Sequence, residues 1–221
     1  MCFSSSASFI AGTTLCVIGV ASLKEVKGRS EIPFAMIPLL FGIQQLTEGV
    51  IWLSFSHDMP LLKQAMTYLY SLFSHVVWPI YVPFAIGIME AVRWRRRVLN
   101  AILAIGFTVG LFLLYWIIVG PLNAEVISNH IVYRSPHFYS IPAMIFYFTA
   151  TCGSGFFSSH GFVKLLAALL IVTLIAAQIV HSIALVSIWC FFAAILSMLV
   201  YLHLKHRERG WGHKRQLPKN A

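Results

Sequence analysis

Acidic residues are scarce in this chain: Asp and Glu number 7 of 221, beside 16 Lys and Arg, and charged residues together make up 10%. About a quarter of the residues of an ordinary soluble domain are charged. A chain that is 59% hydrophobic with a mean hydropathy of +0.81 falls outside that class, and lipid becomes its expected solvent. Cysteine is sparse too. Of the 4 present, Cys16, Cys152 and Cys190 fall inside apolar runs, where a free thiol behaves as a small hydrophobe, so no disulfide framework is expected. No basic region precedes the first apolar run and no apolar stretch precedes Cys2, so the first run is read as a retained span and not as a signal peptide or lipoprotein leader. Alternating ten-residue runs are missing as well, which argues against a membrane barrel.

What the chain does have is long apolar runs. Seven can be marked, at 8–23, 33–55, 61–89, 98–119, 138–158, 162–181 and 184–204. In lipid every backbone polar group must be satisfied within its own segment, so runs of this length are helices. Residues 165–204 contain no Gly, Pro or charge; a continuous helix there would extend about 60 Å, twice the hydrocarbon thickness, so a turn is expected near His181 and Ser182.

The basic residues lie beside the ends of these runs, where the positive-inside rule places them. With the N-terminus outside, Lys24, Lys27, Arg29, Arg93, Arg95 to Arg97, Lys164 and the tail 205–219 are cytoplasmic, and only Lys63 and Arg134 are external. The net charge of +9 is thereby accounted for; with no nucleic-acid-binding motif, no nucleic-acid partner is expected. The expected fold is an all-α integral membrane bundle of seven transmembrane helices, with the C-terminus cytoplasmic. Residues 1–204 form one domain and 205–221 a basic tail. In the loop 120–137, Val126, Ile127, Ile131, Val132 and Tyr133 flank Ser128-Asn129, the pattern of a short external β-hairpin between helices 4 and 5.

Glu48 is the one acidic residue deep inside a run, and an ionisable group at that depth is a functional-site hypothesis by default. Helical spacing puts Gln44, Gln45 and Trp52 on its face. In the next run Ser74, His75 and Trp78 precede Pro79, which frees carbonyls by removing a backbone donor. Gln178 and His181 lie one turn apart near the outer end of the sixth run. The candidate ligand-binding set is therefore Glu48, Gln44, Gln45, His75, Trp78, Gln178 and His181, lining a pocket open to the outside. The plainer reading is a neutral Glu48 that bridges helices through hydrogen bonds.

One Glu with two His is a ligand set of catalytic zinc sites. Each candidate stands alone on its helix with no HExxH-like pair, so no metal is expected. No run contains the buried Lys that a retinal Schiff base needs, and no other cofactor is indicated. His160, His203, His206 and His213 fall at the cytoplasmic face.

The opening Met1 to Phe9, the segment Pro38 to Gly49, the Trp78-Pro79 step and Val186 to Ala194 resemble an uncharacterised family of prokaryotic multi-span membrane proteins that begin with an MCFSA-like sequence. The resemblance covers most of the chain and implies a prokaryotic cytoplasmic membrane. It also draws Cys2 and Cys190 into consideration. The function expected first is binding of a small ligand or ion, receptor-like or transporter-like, around Glu48. The alternatives are a membrane-embedded metal-dependent hydrolase, similar in span number to alkaline ceramidases, and a structural or assembly subunit.

Overall fold

In the computed structural model, residues 4–127, 129–134, 140–181 and 184–211 are described, with side chains for all of these except 180, 181 and 206–211. The helices are α1 (Ser5–Lys24), α2 (Ile32–Ala35), α3 (Ile37–Ser56), α4 (Pro60–Ser71), α5 (Trp78–Met89), α6 (Arg93–Val119), α7 (Ile141–Phe148), α8 (Ser154–Phe156), α9 (Gly161–His181) and α10 (Leu185–Trp211). π-helical segments Leu72–Val77 and Thr149–Gly153 join α4 to α5 and α7 to α8 without a break. Among the described residues six helices are long and apolar enough to cross a membrane, and a shorter apolar one covers Ile141–Phe156. This supports a multi-pass membrane protein.

Local chemistry explains where the helices begin. The Ser4 hydroxyl accepts from the Ala7 N–H at 3.3 Å and caps α1. Pro38, Pro60 and Pro142 lie in first turns, where a missing N–H leaves no bond unmade; Pro79 instead follows directly on the π-segment, where its missing N–H frees a carbonyl. Close approach explains how α1 and α3 pair. A Cβ on Gly19 would fall 2.6 Å from the Leu39 nitrogen, and one on Gly42 would fall 2.8 Å from the Cys16 nitrogen, so these backbones touch as small residues allow in membrane bundles.

Two strands, β1 (Asn123–Ile127) and β2 (His130–Arg134), pair antiparallel with Val126 opposite Ile131 and Ala124 opposite Tyr133. Asn129 turns the chain with φ of 60°, the left-handed region that Asn tolerates; Ser128 lies outside the described residues. Arg134 donates to Glu125 across the pair at 2.8 Å. The ribbon packs on α4 and α10 and buries Ile131, Val132 and Tyr133.

The core has two main parts. One lies under the ribbon and contains Ile51, Tyr70, Leu113, Tyr133, Tyr147 and Trp189. The other, toward the basic loops, contains Phe34, Phe41, Trp78, Ile86, Leu99 and Leu204. At that end the N–H groups of Val92 and Ser159 donate to the two Glu90 oxygens at 2.9 and 2.6 Å, and Arg95 donates to the Ser158 carbonyl at 2.8 Å. Burial pushes the Glu90 carboxyl up, but these N–H groups, with His160 nearby, outweigh it and hold the group below its ordinary value.

The structure departs from the sequence reading at several boundaries: the second run is divided into α2 and α3, and α6 begins at Arg93 and not at residue 98. The fifth run is a 16-residue helix, 141–156, not 138–158, with residues 135–139 outside the described part. The helix expected to end at residue 204 continues to Trp211, so the first part of the basic tail is helical. The turn expected at His181 and Ser182 falls where α9 ends at His181 and α10 begins at Leu185, with residues 182 and 183 outside the described part.

Candidate functional site

Glu48 is 0% exposed. One carboxyl oxygen, Oε1, accepts from the Ser187 hydroxyl of α10 at 2.7 Å and from the Tyr133 hydroxyl of β2 at 3.4 Å. The other, Oε2, has no partner among the described residues. Tyr133 is held over the site by stacking on Tyr70, with ring centroids 4.2 Å apart and planes 7° from parallel. The ribbon therefore covers the carboxyl, and among the described residues nothing leaves Glu48 exposed to the outside.

One turn before Glu48, the Gln44 carbonyl accepts from Trp78 Nε1 at 2.6 Å, and Trp78 stacks on Phe41 at 3.9 Å. The Cys190 thiol of α10 lies beside Gln44, Tyr70 and Glu48. Gln45 is fully buried, and among the described residues neither its amide nitrogen nor its oxygen has a partner. The Trp52 ring nitrogen is likewise buried and without a partner among them.

His75 is also 0% exposed. Its Nδ1 is 2.7 Å from the Ser74 hydroxyl, and both residues sit in the π-helical segment Leu72–Val77. A π-turn leaves carbonyls out of the i to i+4 ladder. The Ser74 carbonyl takes the Tyr147 hydroxyl as its donor. Tyr147 neighbours Cys190 and Cys152, and its own carbonyl accepts from Thr151 at 2.9 Å. His75 is thus connected toward the Glu48 cluster through Tyr147 and Cys190.

Of the seven expected residues, Gln44, Gln45, Glu48, His75 and Trp78 are all buried in the bundle interior. Gln178 is exposed on α9 and takes no part in the cluster. An almost wholly apolar helix offers no contrast from which the inward face can be chosen, and α9 turns Gln178 outward. The His181 side chain lies outside the described residues. Tyr70, Tyr133, Tyr147 and Ser187 complete the site and escaped the sequence reading. Tyr133 was visible only as a hairpin residue, and Ser187 carries no local signal at all.

The chemistry available is that of one carboxyl group, hydroxyls and amides. No Lys or Arg is among the buried residues described, so neither is placed among them to balance an ionised Glu48. Among the described residues no group of three or more His, Cys, Asp and Glu comes close enough to hold a metal ion; of the zinc set weighed from the sequence, Glu48 and His75 are described and the His181 side chain is not. Comparison with the curated proteins gives no match, and neither does comparison with the solved structures. The sequence profile of a family of unknown function, DUF6629, matches residues 1–215. With nearly the whole chain covered, this protein belongs to that family.

Proposed function

We propose that this chain is a receptor-like or transporter-like membrane protein that takes a small ligand or ion with a single positive charge at Glu48. The observation that carries the reading is a buried carboxyl group with hydroxyl donors on one oxygen and, among the described residues, no partner on the other. An ionised carboxylate at such depth costs several kcal/mol unless a partner balances it. One buried negative charge without a protein cation calls for one positive charge, a proton or a monocation. The unbonded Gln45 amide on the same helix face adds a neutral donor and acceptor that could turn to such a guest. The hydrolase alternative lacks a comparable supporting observation, since no metal-holding group of three or more His, Cys, Asp and Glu is found among the described residues.

The test is reaction with dicyclohexylcarbodiimide, an apolar reagent that attacks protonated carboxyls inside membranes. Purified protein should be modified at Glu48, as read by mass spectrometry, and sodium, potassium or ammonium ions should slow the reaction at constant pH. Labelling unchanged by all three ions and by pH would reduce Glu48 to a helix-bridging hydrogen-bond acceptor.

The orientation proposed with this reading has the N-terminus outside, the Arg95 end cytoplasmic and the hairpin external, in a prokaryotic inner membrane. Its support is the distribution of basic residues, of which only Lys63 and Arg134 fall on the other side. Single cysteines at positions 95 and 129, challenged with an impermeant maleimide on intact cells, decide it. Labelling of 95 and protection of 129 would reverse the orientation.

A further inference from the structure

Where the two main parts of the core meet lies a cavity of about 50 Å³, walled by Phe34, Trp78, Ile86 and Val163 from one part and by Trp189 and Cys190 from the other. All of its lining residues except Val82 and Leu170 are buried. The polar groups in its wall are engaged elsewhere. Trp78 Nε1 donates to the Gln44 carbonyl at 2.6 Å, and Trp189 Nε1 donates to the Leu170 carbonyl at 3.1 Å. The Thr151 hydroxyl donates to the Tyr147 carbonyl at 2.9 Å and the Ser197 hydroxyl to the Ala194 carbonyl at 2.6 Å. The Cys190 thiol has Gln44 and Tyr70 as hydrogen-bonding neighbours. A buried water needs about 2 to 4 polar partners, and every donor named here already has its acceptor. The guest that suits this wall is apolar.

Size narrows the class further. A dry cavity of about 150 Å³ takes benzene, whereas about 15 Å³ already admits one water-sized sphere. A cavity of about 50 Å³ therefore has room for about two or three heavy atoms and excludes a ring or a hydrocarbon chain. An atom seated there would gain dispersion contacts from aromatic and aliphatic side chains on several sides. Apolar molecules of this size dissolve more readily in hydrocarbon than in water, so a bilayer around the long apolar helices would concentrate them beside the site.

We propose that this cavity is a binding site for one small uncharged apolar molecule of the size of a dissolved diatomic gas, with dioxygen as the reactive member of the class and xenon as its inert stand-in. The site shares Trp78 and Cys190 with the surroundings of Glu48 and does not rest on the charge balance proposed there.

Methyl resonances test it. Full-length protein with isotope-labelled alanine methyl groups is held in deuterated detergent under rising xenon pressure. Ala167 and Ala193 line the cavity, whereas Ala124 and Ala143 are similarly buried under the hairpin and lie outside its wall. The Ala167 and Ala193 signals should shift along a saturating curve, and those of Ala124 and Ala143 only in proportion to pressure. Ala193→Leu fills the space and should abolish saturation at Ala167, with unchanged Ala124 and Ala143 signals showing that the bundle is folded. Should that variant fail to fold, Ala167→Val, the smaller filling, should abolish saturation at Ala193. Dioxygen in place of xenon should broaden Ala167 and Ala193 beyond the two control methyls through its unpaired electrons, and added xenon should relieve the excess by competition. Proportional shifts at all four methyls overturn the proposal. Saturation that survives filling overturns the cavity as its location, and equal broadening at all four methyls overturns dioxygen as a guest.

Discussion

The two halves of the bundle hold their cores together differently. Under the hairpin, aromatic and polar side chains share the interior: Tyr70, Tyr133, Tyr147 and Trp189 pack around Glu48, Gln44, Ser187 and His75. Toward the basic loops the core is built of Phe34, Phe41, Ile86, Leu99 and Leu204, and its notable buried carboxylate, Glu90, is tied to backbone N–H groups at the edge. Polar groups deep in a bundle give directional contacts but leave unsatisfied atoms costly. An apolar half tolerates an imperfect fit, and a cavity of about 50 Å³ lies where the halves meet, walled by Phe34, Trp78 and Val163 on one side and Trp189 and Cys190 on the other.

The comparison can be broken most forcefully at its joint. Gly106 of α6 meets α5 so closely that an added Cβ would fall 1.9 Å from the Pro79 carbonyl oxygen. Gly106→Ala should cost about 3 kcal/mol or more as the helices are forced apart, and thermal unfolding in detergent should show one lowered transition. Two separated transitions would mean that the halves melt as independent units. Next in size, Ser187→Ala removes the 2.7 Å donor to Glu48 and should cost about 1 to 3 kcal/mol, the penalty of stripping a buried acceptor. Ser197→Ala in the other half removes only a bond to the Ala194 carbonyl within its own helix and should cost under about 0.5 kcal/mol. Equal losses would erase the distinction between the halves.

A smaller effect concerns pH at the basic end. Because Glu90 is held below its ordinary value of 4.5, its contribution to stability is complete above that value and is lost as pH falls through the lower, folded value. The melting temperature of the parent should drop more steeply than that of Glu90→Gln on acidification from pH 6 to about pH 3; parallel curves would remove Glu90 as a clamp between the loops. Smallest of all, Tyr133→Phe keeps the stacking on Tyr70 and removes one long 3.4 Å bond. It should shift stability by under about 0.5 kcal/mol, and a larger loss would mean that the hydroxyl, not the ring, holds the hairpin down.

Long apolar helices and the inward direction of Glu48 were legible because both are local properties: run length, and the cost of an unpaired carboxyl in lipid. The same reasoning placed Gln44 and Gln45 correctly inside, since they share a helix face with Glu48. It failed for Gln178, where an apolar surround gave no face to prefer, and it expected an open pocket where Tyr133 forms a roof. The partners of Glu48 come from residues 85 and 139 positions away in the chain, and no spacing rule reaches that far. The wide turns at Leu72–Val77 and Thr149–Gly153 were equally hidden; Pro79 suggested a kink, but the carbonyl released at Ser74 finds Tyr147 by tertiary contact.

Those wide turns also fix the reading frame of the site. A π-turn holds one residue more than an α-turn, so deleting a single codon from 72–77 would let the segment relax to an ordinary helix with Trp78 and all that follows keeping their facing, whereas a codon deleted from α4 would rotate them by about 100°. Trp78 would then swing off Gln44 and Pro79 off Gly106 at once. In this span a one-residue deletion is graver in the α-helical part than in the wide turn, and the length of α4 is as much a part of the site as the side chains it carries.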